Sequence, residues 1–297
     1  MGPQAPGFEQ QARQAHQNFH HGLASAALPP AKKLLLGKLV NEAVVAQASR
    51  KVKAGQRVVV ELVQPAESLA FTPQAIPLDV VHEDEHVLVI HKPAGLVVHP
   101  AAGNWSGTLL NGLLARDPAA ARLPRAGIVH RLDKDTSGLM VVARSLEAMT
   151  ALVRALAARE VHRQYMALVH GDVGAQPFTV DAPIGRDPQA RVRMAVVPSG
   201  KEARTDVSPV AYRNGVSAVR CKLHTGRTHQ IRVHLQHRGH PLVADAVYGG
   251  PAALGLSRQA LHAAELAFVH PLTGQTLSLS ADPPQDLAQA WASVASD

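Results

Sequence analysis

The chain has 297 residues and a net charge of +7, with 46% apolar residues but only 3% aromatic ones. That length suits one large or two ordinary domains, with a core built mainly from Val, Leu, Ile and Ala. The charge favours a polyanionic partner. Cys221 is the only cysteine, which excludes an intrachain disulfide and a cysteine-based zinc site. No apolar run approaches the ~20 residues of a membrane span, and the N-terminus lacks the pattern of a signal peptide. The expectation is a cytoplasmic protein without a membrane partner, monomeric by default.

Residues 1–30 are rich in Gln, Ala and His without periodicity and read as disordered. Residues 31–63 differ. Lys32, Lys33, Lys38, Arg50, Lys51, Lys53 and Arg57 face only Glu42 and Glu61, so this stretch carries +5 of the +7. The pattern predicts a short helix over 31–37 and strands around 39–46 and 57–63. Such a unit is either a phosphate-contact module, through Lys32, Lys33, Arg50, Lys51 and Lys53, or a solvated basic face. Residues 64–76, with Pro65 and Pro73, read as a linker.

From 77 to 297 the pattern is mixed α and β. Leu78–Val81 and Val87–Ile90 predict strands, and Lys92-Pro93-Ala94-Gly95 predicts a turn into a further strand over 96–98. Thr108–Ala115 predicts a short helix. Leu139–Ala143 reads as a buried strand. Ser145 is a good cap for a helix to about Arg159, with Leu146, Met149, Val153 and Leu156 as its buried stripe. Val161–Val169 predicts a strand holding Tyr165, and 178–198 a hairpin around Arg186-Asp187-Pro188. Along Val216–His224, Val219, Cys221 and Leu223 share one face, so Cys221 reads as packing. Thr228 is the expected cap of a helix stopped by Gly239 and Pro241, and Asp286–Val294 a terminal helix docked by Trp291.

The densest polar stretch is Gly127-Ile-Val-His-Arg-Leu-Asp-Lys-Asp-Thr-Ser-Gly138, set against the apolar run that follows it. A charged loop at the edge of a buried sheet is a common seat of chemistry. Phosphate-binding, nucleophile-elbow, dinucleotide and H-E-x-x-H motifs are all absent. Among the 17 histidines, His229, His234, His237 and His240 cluster. No carboxylate lies among them on their helix, so phosphate contact is preferred over a metal site. Asp133 remains, with arginines nearby. A carboxylate held beside an arginine is either an ion pair bracing a loop or a nucleophile that needs no separate base.

Arg125-Ala-Gly-Ile-Val-His-Arg-Leu-Asp-Lys-Asp-Thr-Ser-Gly138 resembles the catalytic signature of the RluA family of pseudouridine synthases. Three further stretches agree in order. Arg159-Glu-Val-His-Arg-Gln-Tyr165 with Ala167-Leu-Val-His-Gly171 is similar to the family's tyrosine strand. Thr225-Gly-Arg-Thr-His-Gln-Ile-Arg-Val-His-Leu235 is similar to its third motif. His240-Pro-Leu-Val-Ala-Asp-Ala-Val-Tyr-Gly-Gly250, with Arg258–His262 and His270–Gly274, resembles the remainder. Residues 31–63 resemble an S4 RNA-binding unit through Val40-Asn41 and Ser49–Gln56, but without its usual leading helix.

The resemblance implies an α+β fold: a mixed, largely antiparallel sheet with flanking helices, preceded here by a small basic S4-like module. It implies isomerisation of uridine to pseudouridine with no metal or cofactor. The likeness is greatest to members acting on large-subunit ribosomal RNA. Asp133 would be the nucleophile, paired with Arg232, while Tyr165 would lie against the uracil and is a candidate to take the C5 proton. Arg131 would fill the stack left by the extruded base. His130, Arg227 and His229 would contact substrate, and Leu235 would pack beside the target base. The alternatives are a member of the family acting on other ribosomal or transfer RNA uridines, and a catalytically idle RNA-binding or ribosome-assembly protein on the same fold.

Overall fold

The computed structural model describes residues 37–40, 43–45, 58–61, 65–190 and 193–296. The chain divides into two compact units, Met1–Pro65 and Ala66–Asp297. In the first, β1 (Gly37–Val40) pairs antiparallel with both β2 (Ala43–Val45) and β3 (Val58–Glu61). The single strand expected over 39–46 is instead a hairpin, because Val40 pairs with Ala43. The sequence places Asn41, a turn-forming residue, between them. Apart from Gly37, the expected helix over 31–37 lies outside the described residues. So do the expected disordered stretch 1–30 and Lys32, Lys33, Arg50, Lys51 and Lys53.

The second unit is built on one large sheet. Its strands are β4 (Asp79–Glu83), β5 (Val87–Lys92), β6 (Ser137–Ala143), β7 (His162–His170) and β8 (Phe178–Asp181). They are joined by β11 (Arg204–Arg213), β12 (Val216–Leu223), β13 (Leu261–Val269) and β14 (Thr276–Ser280). Across the sheet the order is β4-β5-β6-β13-β7-β12-β11-β8, with β14 also on β13. Every pairing is antiparallel except β6 with β13. The sheet is thus mixed and largely antiparallel, as expected. The short strands β9 (Ile184–Arg186) and β10 (Met194–Val196) form a separate hairpin within the expected 178–198 segment. β8 leaves that segment to join the main sheet.

Four helices flank the sheet among the described residues: α1 (Leu109–Arg116), α2 (Leu146–Ala157), α3 (Gln230–His237) and α4 (Gln285–Ala295). Side chains alternate across strands, so each half of the sheet buries two faces. One cluster joins Ile90, Met140, Tyr165, Ala167 and Cys221 to the apolar sides of α1 and α3. A second puts Val89, Val141 and Phe268 under α2, and a third puts Leu168 and Ala218 under α4. Cys221 is packing, as its strand position predicts.

Several expected details differ, each for a physical reason. No strand forms over 96–98, because the Val97 and Val98 carbonyls accept from Leu109 N and Leu110 N at the start of α1. Thr108 and Asn111 complete a capping box at that end. Residues 66–71, expected within a linker, form a short 3-10 helix, and Asn111 Nδ2 donates to the Leu69, Ala70 and Thr72 carbonyls. Ser145 does cap α2, and Met149 and Leu156 of the expected stripe pack partly buried against the second cluster, but the fully buried residues are Ala148 and Leu152, while Leu146 is 62% and Val153 46% exposed. The helix is rotated from the expected stripe because Ala148 lets it sit close to the sheet. Trp291 is only partly buried, and Leu287, Ala290 and Val294 dock α4.

The halves of the sheet meet where β6 and β13 approach at Gly138. Its φ is +119°, and an added Cβ would lie 2.3 Å from Ala263 O and 2.5 Å from Ala263 N. Both atoms are backbone, so neither can move aside cheaply. Gly138→Ala should therefore lower unfolding free energy by about 3 kcal/mol or more. Chemical denaturation checks this; a loss under ~1 kcal/mol would contradict so close an approach.

Candidate active site

The polar loop runs directly into β6 and is clamped from several sides. Lys92 Nζ, fully buried at the end of β5, donates to the carbonyls of Pro93 (2.7 Å), Leu96 (2.9 Å) and Lys134 (2.9 Å). Burial lowers its pKa to about 8, against the pull of Asp135 and Asp133. Arg258 Nη1 donates to Asp135 O at 3.2 Å, and Asp133 O accepts from Thr136 N. His130 Nε2 accepts from Val141 N at 3.0 Å, so His130 fastens the loop to β6. Burial, with the nearby Arg163 cation, lowers the His130 pKa to about 3, so it stays neutral at physiological pH.

Opposite the loop stands the first turn of α3. Arg232 is 4% exposed. Its Nε and Nη2 donate to Asp245 Oδ2 and Oδ1 at 2.7 and 2.8 Å, and its Nη1 donates to Asp133 Oδ2 at 3.1 Å. Burial alone would lower the Arg232 pKa, but Asp245 and Asp133 outweigh it and hold it above the ordinary value. Asp245 thus aims the guanidinium at Asp133. Tyr248 packs its ring 4.9 Å from the Arg232 guanidinium carbon, and its hydroxyl lies 2.8 Å from His229 Nδ1. His229 Nε2 is 3.9 Å from Asp133 Oδ1.

α3 starts later than Thr228 because His229 adopts a left-handed φ of +57° and is itself the N-cap. Gln230 closes the turn instead, with Oε1 accepting from Arg227 N and Thr225 Oγ1. His234 does not face solvent or a metal: its ring meets Thr205 Oγ1 and Ala182 O inside the protein. His240 meets His170 O. No cluster of metal-ligating side chains occurs among the described residues, and no described helix is long and apolar enough to cross a membrane.

Asp133 opens on a cavity of about 730 Å³. Arg125, Arg131, Arg163, Arg227, Arg232, His99, His130 and His229 line it, and among the described residues Asp133 is its sole acidic side chain. Arg131 is exposed at the mouth, and Arg227 is held by a bond from its Nε to Glu202 O. Tyr165 is 5% exposed on the wall. Burial, countered by Arg163 and reinforced by Asp133, pushes its pKa up to about 12. Leu235, expected beside the substrate, is fully buried in the core. It lies one turn deeper along α3 than Ile231, which with Leu132, Leu156 and Leu223 supplies the apolar lining.

The sequence thus brings Asp133, Arg232, Tyr165, Arg131, His130, Arg227 and His229 to one cavity. Sequence reasoning assigned no individual role to Asp245, Tyr248, Arg163, Arg125 or His99. Asp245 is an isolated carboxylate in the apolar stretch Leu242–Val247, a signal of burial against a cation that local spacing does not pair.

A carboxylate joined to a doubly held arginine, in a cleft of concentrated positive charge, is an arrangement suited to a polyanionic substrate. Comparison with known proteins narrows this. Residues 86–237 match the family model described as RNA pseudouridylate synthase. The chain is 50% identical over 258 residues to Ribosomal large subunit pseudouridine synthase D of Xanthomonas campestris, covering 82% of this chain and 77% of that one. It is 47% identical to the protein of that name from Escherichia coli K12, covering 84% and 80%. Among solved structures, Human RNA Pseudouridylate Synthase Domain Containing 1 aligns with a TM-score of 0.56 and 28% identity, over 71% of this chain and 85% of that one. The chain belongs to the RNA pseudouridylate synthase family, and its reaction is the isomerisation of uridine in RNA to pseudouridine.

Proposed function

We propose that this enzyme converts specific uridines of large-subunit ribosomal RNA to pseudouridine, with Asp133 as nucleophile, as a cytoplasmic monomer without metal or cofactor. The identity of about 50% to enzymes named for the large ribosomal subunit supports the substrate, and the Asp133–Arg232–Asp245 chain supports the nucleophile.

The target uridine leaves its stack and enters the cleft, since a base within a helix offers no path to its glycosidic bond. Arg131, exposed at the mouth without a hydrogen-bond partner among the described residues, fills the vacated space. Arg227, His229 and Arg125 meet the flanking phosphates. Asp133, aimed by Arg232, attacks either C1′ of the ribose or C6 of the base. The glycosidic bond breaks, the uracil turns, C5 bonds to C1′, and Asp133 is released. C5 loses its proton and N1 gains one, so the product is an isomer. Tyr165 packs against the uracil. With its pKa near 12, it meets the base as a neutral phenol at pH 7 rather than as a ready phenolate base. Once C5 has bonded to C1′ its proton is acidic, and the Tyr165 oxygen takes it only as the phenol passes its own proton on to water or to N1.

Incubation of unmodified large-subunit ribosomal RNA with the protein should yield pseudouridine at discrete positions by chemical mapping. Modification confined to transfer RNA would sink the substrate reading. We also infer that residues 31–63 add phosphate contacts. Their deletion should weaken RNA binding and flatten its dependence on salt; an unchanged slope would remove them from the interface.

A further inference from the structure

One cation in the cleft has no employment in the mechanism above. Arg163 is 7% exposed and lines the cavity two residues before Tyr165 on β7, on the same face. No carboxylate pairs with it and no acceptor meets its side chain among the described residues; its buried Nε is without a hydrogen-bond partner. By contrast, the other buried arginine lining the cleft, Arg232, binds two carboxylates. A buried, unpaired cation is costly, and an apolar side chain of similar volume would serve packing better.

The neighbouring chain makes room for this guanidinium. A Cβ on Gly226 would come within 2.9 Å of Arg163 Nη1, while Gly226 itself has no left-handed φ to require a glycine. A side chain at 226 would therefore push the guanidinium from this position.

Its depth indicates what it meets. Phosphates are strongly hydrated and meet the more exposed Arg125 and Arg227 nearer the mouth. Arg163 lies behind them, beside the Tyr165 wall, where an extruded base and not a phosphate reaches. Uracil is neutral on entry, but either route of attack makes it anionic. Attack at C1′ forms the Asp133 Oδ–C1′ bond as C1′–N1 breaks, and the electron pair stays on the ring, shared among N1, O2 and O4. Attack at C6 forms the Oδ–C6 bond and sends the C5–C6 π pair through C4 to O4. That charge is discharged when C5 bonds to C1′, and the later loss of the C5 proton is balanced by protonation of N1.

We propose that Arg163 is a catalytic residue that donates hydrogen bonds to a uracil carbonyl oxygen and holds the negative charge developing there. This rests on the uridine isomerisation and on Asp133 as nucleophile. The cation stands buried on the cleft wall without a protein partner before substrate arrives, a condition under which a donor favours the charged transition state over the neutral ground state.

The test compares wild type with Arg163→Gln, Arg163→Lys and Gly226→Ala on ribosomal RNA carrying either uridine or 5-fluorouridine at the target. Fluorine stabilises the anionic ring, so the fluorinated base needs less help. RNA affinity should stay within about threefold, because the contact forms mainly as charge develops. The single-turnover rate of uridine consumption should fall roughly 10²- to 10³-fold in Arg163→Gln, with partial recovery in Arg163→Lys and an intermediate loss in Gly226→Ala. With 5-fluorouridine, the ratio of wild-type to Arg163→Gln consumption rates should shrink at least about tenfold. An equal loss on both substrates would make Arg163 structural. A loss confined to RNA affinity would make it a ground-state contact; either overturns the proposal. If Arg163→Gln does not fold, Arg163→Lys and Gly226→Ala decide by the same ratio. Wild type inactive on every RNA would instead overturn the functional reading and this proposal with it.

Discussion

Asp133→Asn should abolish pseudouridine formation, lowering the single-turnover rate by about 10⁴-fold or more, the scale seen when a nucleophile is removed. The variant keeps the shape of the side chain and an oxygen that can accept from Arg232, so the fold should survive. What is lost is the charged oxygen able to form a bond to carbon. RNA binding provides the sign test. Among the described residues, Asp133 is the sole acidic side chain lining a cleft with five arginines, so neutralising it removes repulsion from the phosphates. Affinity should be unchanged or slightly tighter. A variant that binds RNA and still isomerises at the wild-type rate would exclude Asp133 as nucleophile.

Arg232→Met should produce the largest loss of stability in the site. It leaves Asp245, 1% exposed, without either of its two guanidinium donors. Stranding a buried charge in this way costs about 3–5 kcal/mol. Asp133, with a side chain 14% exposed to the cleft, loses its partner at smaller cost. The double variant Arg232→Met/Asp245→Asn should recover much of the stability, because the stranded charge is gone, but none of the activity. Chemical denaturation of the single and double variants measures this. A single variant within ~1 kcal/mol of wild type would mean that Asp245 finds another partner.

The loop, its apolar strand and the helix after Ser145 were legible because each declares itself within a dozen residues. Asp133 and Arg232 were named together only through resemblance; spacing alone left Asp133 as either brace or nucleophile. Two failures have a common cause. The stripe expected along α2 turned because Ala148, small enough to allow close approach, outranks the larger Leu146 and Val153. The strand expected over 96–98 failed likewise, in that α1 took the carbonyls of Val97 and Val98. In both, a tertiary neighbour chose among locally plausible options. Leu235 was misplaced for a related reason: a motif gives the face of a helix but not how far along it the cleft extends. Arg163 had no local signal, and that of Asp245 named no partner, because being unpaired or doubly paired is a property of the assembled fold.

The polar loop is held by bonds that span much of the chain. Arg232 reaches Asp133 across 99 positions, Arg258 reaches Asp135 across 123, and Ser137 meets His262 across 125. In the order of synthesis, Asp133 emerges long before the residues that hold its loop. Contacts so distant in sequence form late and slowly. The growing chain therefore holds Asp133 in an unformed site until β13 closes against β6, and the pairing that positions its carboxylate is completed only when the C-terminal half of the sheet has assembled.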